Sequence, residues 1–142
     1  MGNSYGVKRE CCVVIDTNML MLAHEGIDIF TQISELLSTK CTFIVLEQVV
    51  KELNRIIEFG KPKEKKAAIY ALKLIKKYCK VVDYQKQGVN RVDDLIIDYA
   101  LSHKCYIASN DKELRRKARE LGIPEIYFRE EKRMLEASEE FI

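Results

Sequence analysis

Short apolar runs alternate with stretches of helical periodicity along nearly all of the chain, and no other feature constrains the fold as much. Strands separated by helices enter a sheet in parallel through crossovers, because a hairpin leaves no room for the helix. Cys11 to Ile15 reads as a first strand, stopped by Asp16-Thr17-Asn18. Ile29, Phe30, Ile33, Leu36 and Leu37 share one face of a helix, and Cys41 to Val45 forms a second strand. From Gln48 to Glu58 the apolar positions Val49, Val50, Leu53, Ile56 and Ile57 keep a helical period, which Gly60 and Pro62 end. Lys63 to Tyr78 is a lysine-rich amphipathic helix, apolar at Ala68, Ala71, Leu72, Ile75 and Tyr78. Lys80 to Asp83 is a short third strand, and a polar loop through Gly88 and Asn90 leads to a helix from Asp93 to His103. Cys105 to Ala108 is the fourth strand. Asn110 with Glu113 makes a capping-box-like helix start, Gly122 and Pro124 stop that helix, and Glu125 to Phe128 is the fifth strand. The expectation is an α/β fold, a central five-stranded parallel sheet flanked by helices in three layers, followed by a helical C-terminal tail.

With 142 residues, 47% hydrophobic and 32% charged, the chain suits one domain with a real core. Residues 1–8 read as a flexible lead-in and 9–142 as that domain. The longest apolar runs fall far short of the roughly 20 residues that a spanning helix needs, so no membrane partner is expected. No charged-then-apolar leader opens the sequence. The first six residues mimic a myristoylation signal, but the position that needs Ser or Thr holds Gly6. They also spell G-x-S-x-G, which requires a preceding strand that is absent from the sequence pattern. The five cysteines (Cys11, Cys12, Cys41, Cys79, Cys105) include no C-x-x-C pair; they read as small buried hydrophobes in a reducing cytoplasm. His24 and His103, the only histidines, lie far apart on helices, which disfavours a zinc hydrolase or a histidine base.

The chemistry is therefore sought among the acids. In a parallel sheet, ligands bind beyond the carboxyl ends of the strands. Asp16 follows the first strand and Asp111 follows the fourth, on the same edge; their carboxylates converge if those strands are neighbours. Glu52 stands in register with Val49 and Ile56, bordering the buried stripe of its helix, where a carboxylate is costly without a positive partner. Asp94 opens its helix and shares a face with Asp98, a like-charge pair that a cation would relieve. Asp93 or Asp94 also suits a helix cap, so which acids of this helix face a metal stays open. Four carboxylates with no His or Cys among them suit a hard cation, Mg²⁺ or Mn²⁺, as one or two ions. Such a site activates water and steadies charge on a phosphodiester.

The net charge of +2 announces no nucleic-acid partner, but its distribution is uneven. Residues 61–80 carry Lys61, Lys63, Lys65, Lys66, Lys73, Lys76, Lys77 and Lys80 against the single acid Glu64. A second basic group, Arg115, Arg116, Lys117 and Arg119, follows Asp111 and is the better placed for phosphate contacts.

Four segments together, VVIDTNML (13–20), VLEQVVKELNRI (45–56), VDDLIIDYAL (92–101) and IASNDKELRRKA (107–118), resemble the PIN-domain nucleases, and the likeness runs from Cys11 to about Arg129. The resemblance implies a five-stranded parallel sheet, an acidic metal site, and endonucleolytic hydrolysis of RNA that leaves a 5′-phosphate and a 3′-hydroxyl. It places Asp16, Glu52, Asp94 and Asp111 on the catalytic and metal-binding acids, with Asn18 orienting Asp16. Ser109 and Asn110 fall where the family has a hydroxyl and a polar residue, and Asp93 and Asp98 are extra acids of a second shell or second metal. Lys63, Lys66, Arg115, Arg116 and Arg119 are the expected RNA contacts. The segment 104–128 looks closer to ribosomal-RNA-processing PIN proteins and their archaeal relatives than to short VapC-type toxins. The expected partners are accordingly RNA, with pre-ribosomal particles or a small protein inhibitor beside it, and a second copy of the chain in a homodimer.

Two alternatives are weighed against an active ribonuclease in RNA processing. One is a non-catalytic RNA-binding or assembly module with the same fold; the other is a toxin ribonuclease of a toxin–antitoxin pair. A phosphatase with an Asp nucleophile wants a second acid two residues after Asp16, where Asn18 stands. No G-x-G-x-x-G or Walker lysine supports nucleotide binding.

Overall fold

The computed structural model of the chain describes residues 11–138, so the expected lead-in at 1–8 lies outside the described residues. Among the described residues six strands form one sheet: β1 (Cys11–Ile15), β2 (Cys41–Leu46), β3 (Cys79–Val82), β4 (Tyr106–Ala108), β5 (Glu125–Arg129) and β6 (Met134–Ala137). Their order is β3-β2-β1-β4-β5-β6, with β1 to β5 parallel and β6 antiparallel to β5. The five parallel strands lie within about two residues of the expected bounds.

The sixth strand corrects the expected helical tail. A 3₁₀ turn at Glu130–Lys132 ends on Arg133 in the left-handed region (φ 54°), which reverses the chain onto the edge of β5. Leu135 then points into the core at 1% exposure, and its N–H donates to Gln32 Oε1 at 2.8 Å. Glutamates made this segment read as helix; its alternating pattern is too short for a period of two to declare itself.

The helices are α1 (Thr17–Met21), α2 (Ile29–Leu37), α3 (Glu47–Phe59), α4 (Pro62–Tyr78), α5 (Val92–His103) and α6 (Lys112–Glu120). The short α1 was not read from the sequence; Asp16 caps it, and a 3₁₀ turn at Leu22–Glu25 continues it to Gly26. Val13, Val14 and Ile15 of β1 are all fully buried, as befits a central strand of a sheet covered on both faces. One continuous core runs from Val13 to Leu135. α3 and α4 pack against each other, and α4 also rests on α1 and its 3₁₀ turn. Among the described residues no helix is long and apolar enough to cross a membrane.

The cysteines overturn the expectation of free thiols. Cys11 bridges Cys41 and Cys12 bridges Cys105, leaving Cys79 free. The cause is register. Cys11 lies opposite Cys41 across the β1–β2 ladder, and the β1–β4 ladder runs Val13 opposite Tyr106, which sets Cys12 beside Cys105. Consecutive strand residues point to opposite faces, so one Cys-Cys pair staples β1 to both neighbours. With four of five thiols bonded, cysteine content no longer argues for a reducing compartment.

Candidate active site

The direction of the crossovers reverses between β1 and β4, so the crevice beyond the carboxyl ends of those strands is where an α/β sheet binds ligands. Asp16 stands at the end of β1, its N–H donating to Ala108 O at 3.0 Å. Its side chain is 7% exposed. Oδ1 accepts from Thr17 N at 2.8 Å, and Oδ2 accepts from Ser109 Oγ at 2.9 Å. Ser109 is wholly buried, and its Oγ also accepts from Asp111 N at 3.0 Å. One hydroxyl thus ties the acid of β1 to the backbone of the acid after β4. Asp111 caps α6, with Oδ1 accepting from Glu113 N and Leu114 N at 2.9 and 3.1 Å; this, rather than Asn110, is the cap. Glu52, on the second turn of α3, accepts from Thr17 Oγ1 at 2.8 Å.

Asn18 does not orient Asp16. Its Oδ1 accepts from Asn110 N at 3.0 Å, and Asn110 Oδ1 accepts from Phe128 N at 2.9 Å. The two amides therefore hold the β4–α6 loop between α1 and β5, and the orienting role belongs to Ser109 and Thr17.

A cleft of about 230 Å³ opens here, and four carboxylates line it: Asp16, Glu52, Asp93 and Asp111. Asp94 is absent from its lining. Neighbouring residues on a helix are about 100° apart; as α5 docks, Val92 and Asp93 face the cleft, while Asp94 Oδ1 turns away to Lys117 Nζ at 3.2 Å. Asp98 is likewise committed elsewhere, to Lys86 Nζ at 2.7 Å and to the Tyr84 hydroxyl, which hold its carboxyl below the usual range. Its expected second-metal role has no geometric basis.

Burial pushes Asp16 up from 3.8 to about 6, against the hydrogen bonds from Ser109 and Thr17 and with help from the charges of Asp93 and Glu52. Asp93 is raised too, chiefly by burial and then by the charge of Asp111. Among the described residues no Lys, Arg or His forms an ion pair with any of the four. A desolvated carboxylate among like charges calls for a cation. The donor set, all carboxylate oxygen, fits Mg²⁺ or Mn²⁺ in chemistry. Among the described residues no three acidic, His or Cys side chains yet stand close enough together to hold an ion without moving.

The sequence matches the family model described as PIN like domain over residues 13–131. The chain belongs to the PIN-like domain family. Ribonuclease VapC9 of Archaeoglobus fulgidus is 36% identical over 124 residues, covering 87% of each chain. Ribonuclease VapC4 of Methanocaldococcus jannaschii is also 36% identical, covering 84% of this chain and 92% of its own. Among solved structures, the PIN domain endonuclease Utp24 shares the fold at a TM-score of 0.73 and 24% identity, covering 89% of this chain and 90% of that one. VapBC2 from Rickettsia felis, bound to a DNA fragment from its promoter, aligns at a TM-score of 0.53 and 18% identity over 74% of this chain and 92% of that one.

In this PIN domain the basic group of α6 already has carboxylate partners. Arg115 Nε and Arg119 NH1 bind Glu125 at 2.6 and 3.1 Å, and Glu125 is 1% exposed. Arg115 also lies 3.9 Å over the Tyr127 ring. Arg116 pairs with Glu120 at 2.7 Å, and Lys117 with Asp94. Arg115 and Arg119 anchor α6 to β5 and Lys117 anchors it to α5, so these three have a structural role beside their expected one as phosphate contacts, and Arg116 pairs within its own helix. Lys63 and Lys66 remain exposed and unpaired among the described residues. Sequence reasoning missed Thr17 as the group that holds Glu52, and ranked Asp93 below Asp94. The signal for Thr17 was its place directly after a strand-ending acid. For Asp93 it was the adjacent Val92, which marks the apolar edge of the helix.

Proposed function

We propose that the protein is an endoribonuclease whose centre is Asp16, Glu52, Asp93 and Asp111, using Mg²⁺ or Mn²⁺. The observation that carries this reading is Asp16, a buried carboxyl at the crevice of the sheet, lifted to about 6 with no cationic partner. The names of the VapC relatives, ribonucleases at 36% identity, supply the substrate class. Asp16, Glu52, Asp93 and Asp111 would hold a divalent ion, which would supply activation of water and stabilisation of charge on the scissile phosphodiester.

The chain's own contribution is positioning. Ser109 fixes the Oδ2 edge of Asp16 and the backbone of Asp111 through one hydroxyl, so the two acids cannot drift independently. Thr17 fixes Asp16 by its N–H and Glu52 by its hydroxyl, which links α3 to the end of β1. Asp111 keeps Oδ1 on the amides of α6, which fixes its carboxylate at the rim of the cleft. The α6 cap thus serves both the helix and the site. Asn18 and Asn110 brace the loop between them.

The test is cleavage of RNA by the purified protein with Mn²⁺, its loss in EDTA, and its near-elimination by Asp16→Asn. Undiminished cleavage by a folded Asp16→Asn protein would overturn the reading. No metal-dependent cleavage of any RNA would favour the non-catalytic assembly module. As to biological role, the VapC relatives favour a toxin–antitoxin setting, with a small protein inhibitor as partner. The likeness to Utp24 is one of fold and lends no weight to pre-ribosomal particles. A small protein that co-purifies from native cells and silences the nuclease is the expected result; recovery on pre-ribosomal particles would reverse the assignment.

A further inference from the structure

The lysines of α4 differ from the cluster of cations on α6. On α6 each of Arg115, Arg116, Lys117 and Arg119 has a carboxylate partner. On α4 no lysine does among the described residues. Its single acid, Glu64, spends its Oε1 on the Lys61 N–H at 3.1 Å. Lys63, Lys66, Tyr70, Lys73 and Lys77 follow one another at steps of three and four residues, so they form one straight stripe. All five are exposed. Fourteen residues of rise, about 1.5 Å each, make the stripe about 21 Å long.

Tyr70 interrupts the lysines with an aromatic face. It is 42% exposed and borders a cleft of about 210 Å³ with Ala23, Ile27, Leu74 and Tyr78. The exposed His24 ring has its centroid 6.3 Å from that of Tyr70. The helix itself is tied to the acid cleft: α4 packs on α1, which contributes Thr17, Asn18 and Met21 to that cleft, and on α3, which contributes Glu52.

We infer that this stripe is a track for single-stranded RNA, the lysines following the phosphates and the Tyr70 ring stacking on a base. The inference rests on the ribonuclease reading for its choice of RNA. Charge complementarity favours a polyanion, because unpaired lysines recur on successive turns. A protein partner is disfavoured, because the centres of protein interfaces are depleted of lysine. A single strand is favoured over a duplex, because a ring that stacks needs an unpaired base face.

The test measures binding of fluorescein-labelled oligo(U) by anisotropy across a salt series, in EDTA so that no strand is cut. The probed proteins are the wild type, the quadruple variant Lys63→Gln, Lys66→Gln, Lys73→Gln, Lys77→Gln, and Tyr70→Ala with Tyr70→Phe as control. The quadruple variant should bind at least about tenfold more weakly, and its log K against log salt should flatten by about 3, at about 0.7 for each phosphate that a lysine no longer neutralises. Tyr70→Ala should weaken binding about tenfold while Tyr70→Phe stays near wild type. Unchanged affinity and slope in a quadruple variant that melts like the wild type would overturn the track. So would equal affinity for duplex RNA, or displacement by poly-glutamate that ignores Tyr70→Ala and so assigns the stripe to an acidic protein. In Mn²⁺ the quadruple variant should raise KM for RNA and leave kcat unchanged. Stripe-dependent binding by a protein that cleaves nothing would sink the ribonuclease reading and leave the track standing; cleavage with unaltered KM would do the reverse.

Discussion

Replacing Asp16 by Asn should make the metal-free protein more stable at neutral pH while destroying the proposed activity. In the folded protein burial lifts this carboxyl from 3.8 to about 6. At about 1.4 kcal/mol for each pH unit, ionised Asp16 costs the native state about 3 kcal/mol at pH 7. The sign follows from proton binding: between 3.8 and 6 the folded chain holds a proton that the unfolded chain has released. Stability therefore falls as pH rises through that window and stays lowered above it. An amide at position 16 escapes the cost, although the Ser109 hydroxyl must turn to accept instead of donate, at about 1 kcal/mol. The net gain for Asp16→Asn is about 1–3 kcal/mol, or roughly 3–9 °C in Tm for a domain of this size. Thermal melts by circular dichroism in EDTA, near neutrality and near pH 4, give the comparison. The difference between variant and wild type isolates Asp16 from Asp93, which titrates in both. The gap should close at the acidic end. A variant less stable than wild type at neutral pH, or a gap independent of pH, would refute the reasoning.

Three further outcomes follow from the geometry. Asp93→Asn should cut Mn²⁺-dependent cleavage by at least about a hundredfold, whereas Asp94→Asn, which only frees Lys117, should cut it much less; the reverse order of single-turnover rates would move the fourth acid back to Asp94. Ser109→Ala removes the hydroxyl that holds the Asp16 carboxylate down, so the acidic limb of the rate profile should shift to higher pH, with a stability loss of about 1–3 kcal/mol. Reduction of the two disulfides, which span 30 and 93 residues, should lower Tm by more than about 10 °C, since each alone is worth about 4 kcal/mol of chain entropy. Thiol titration of the denatured protein should find Cys79 alone before reduction and all five cysteines after it.

The parallel strands were legible because each is a short, mainly apolar run bounded by polar turns, and Asp16 and Asp111 were legible because they follow two of them. Their convergence needed only β1 beside β4, which the structure has. The rotation of α5 was not legible. Asp93 and Asp94 differ by about 100° around the helix, and what decides between them is how the loop at 83–91 delivers Val92 to the crevice. The ion pairs of the α6 arginines were hidden for a similar reason. Their partner, Glu125, lies in the next strand, and only the α6–β5 packing shows that a buried glutamate there consumes two of them. The disulfides were hidden because the Cys-Cys pair looked like part of a buried strand. Bonding depends on register with two other strands, which no local spacing encodes. The turn onto β6 depended on a left-handed Arg133, a conformation that its residue type does not announce.

The most direct test of the central claim is a Mn²⁺ titration of the protein alone, followed by electron paramagnetic resonance and by the shift in Tm. The four carboxylates should bind Mn²⁺ saturably and gain stability at neutral pH as the charge on Asp16 acquires its partner. Asp16→Asn and Asp93→Asn should each abolish or greatly weaken that binding, while Asp94→Asn and Asp98→Asn keep it. No binding at millimolar Mn²⁺, or binding that Asp16→Asn leaves intact, would contradict the account.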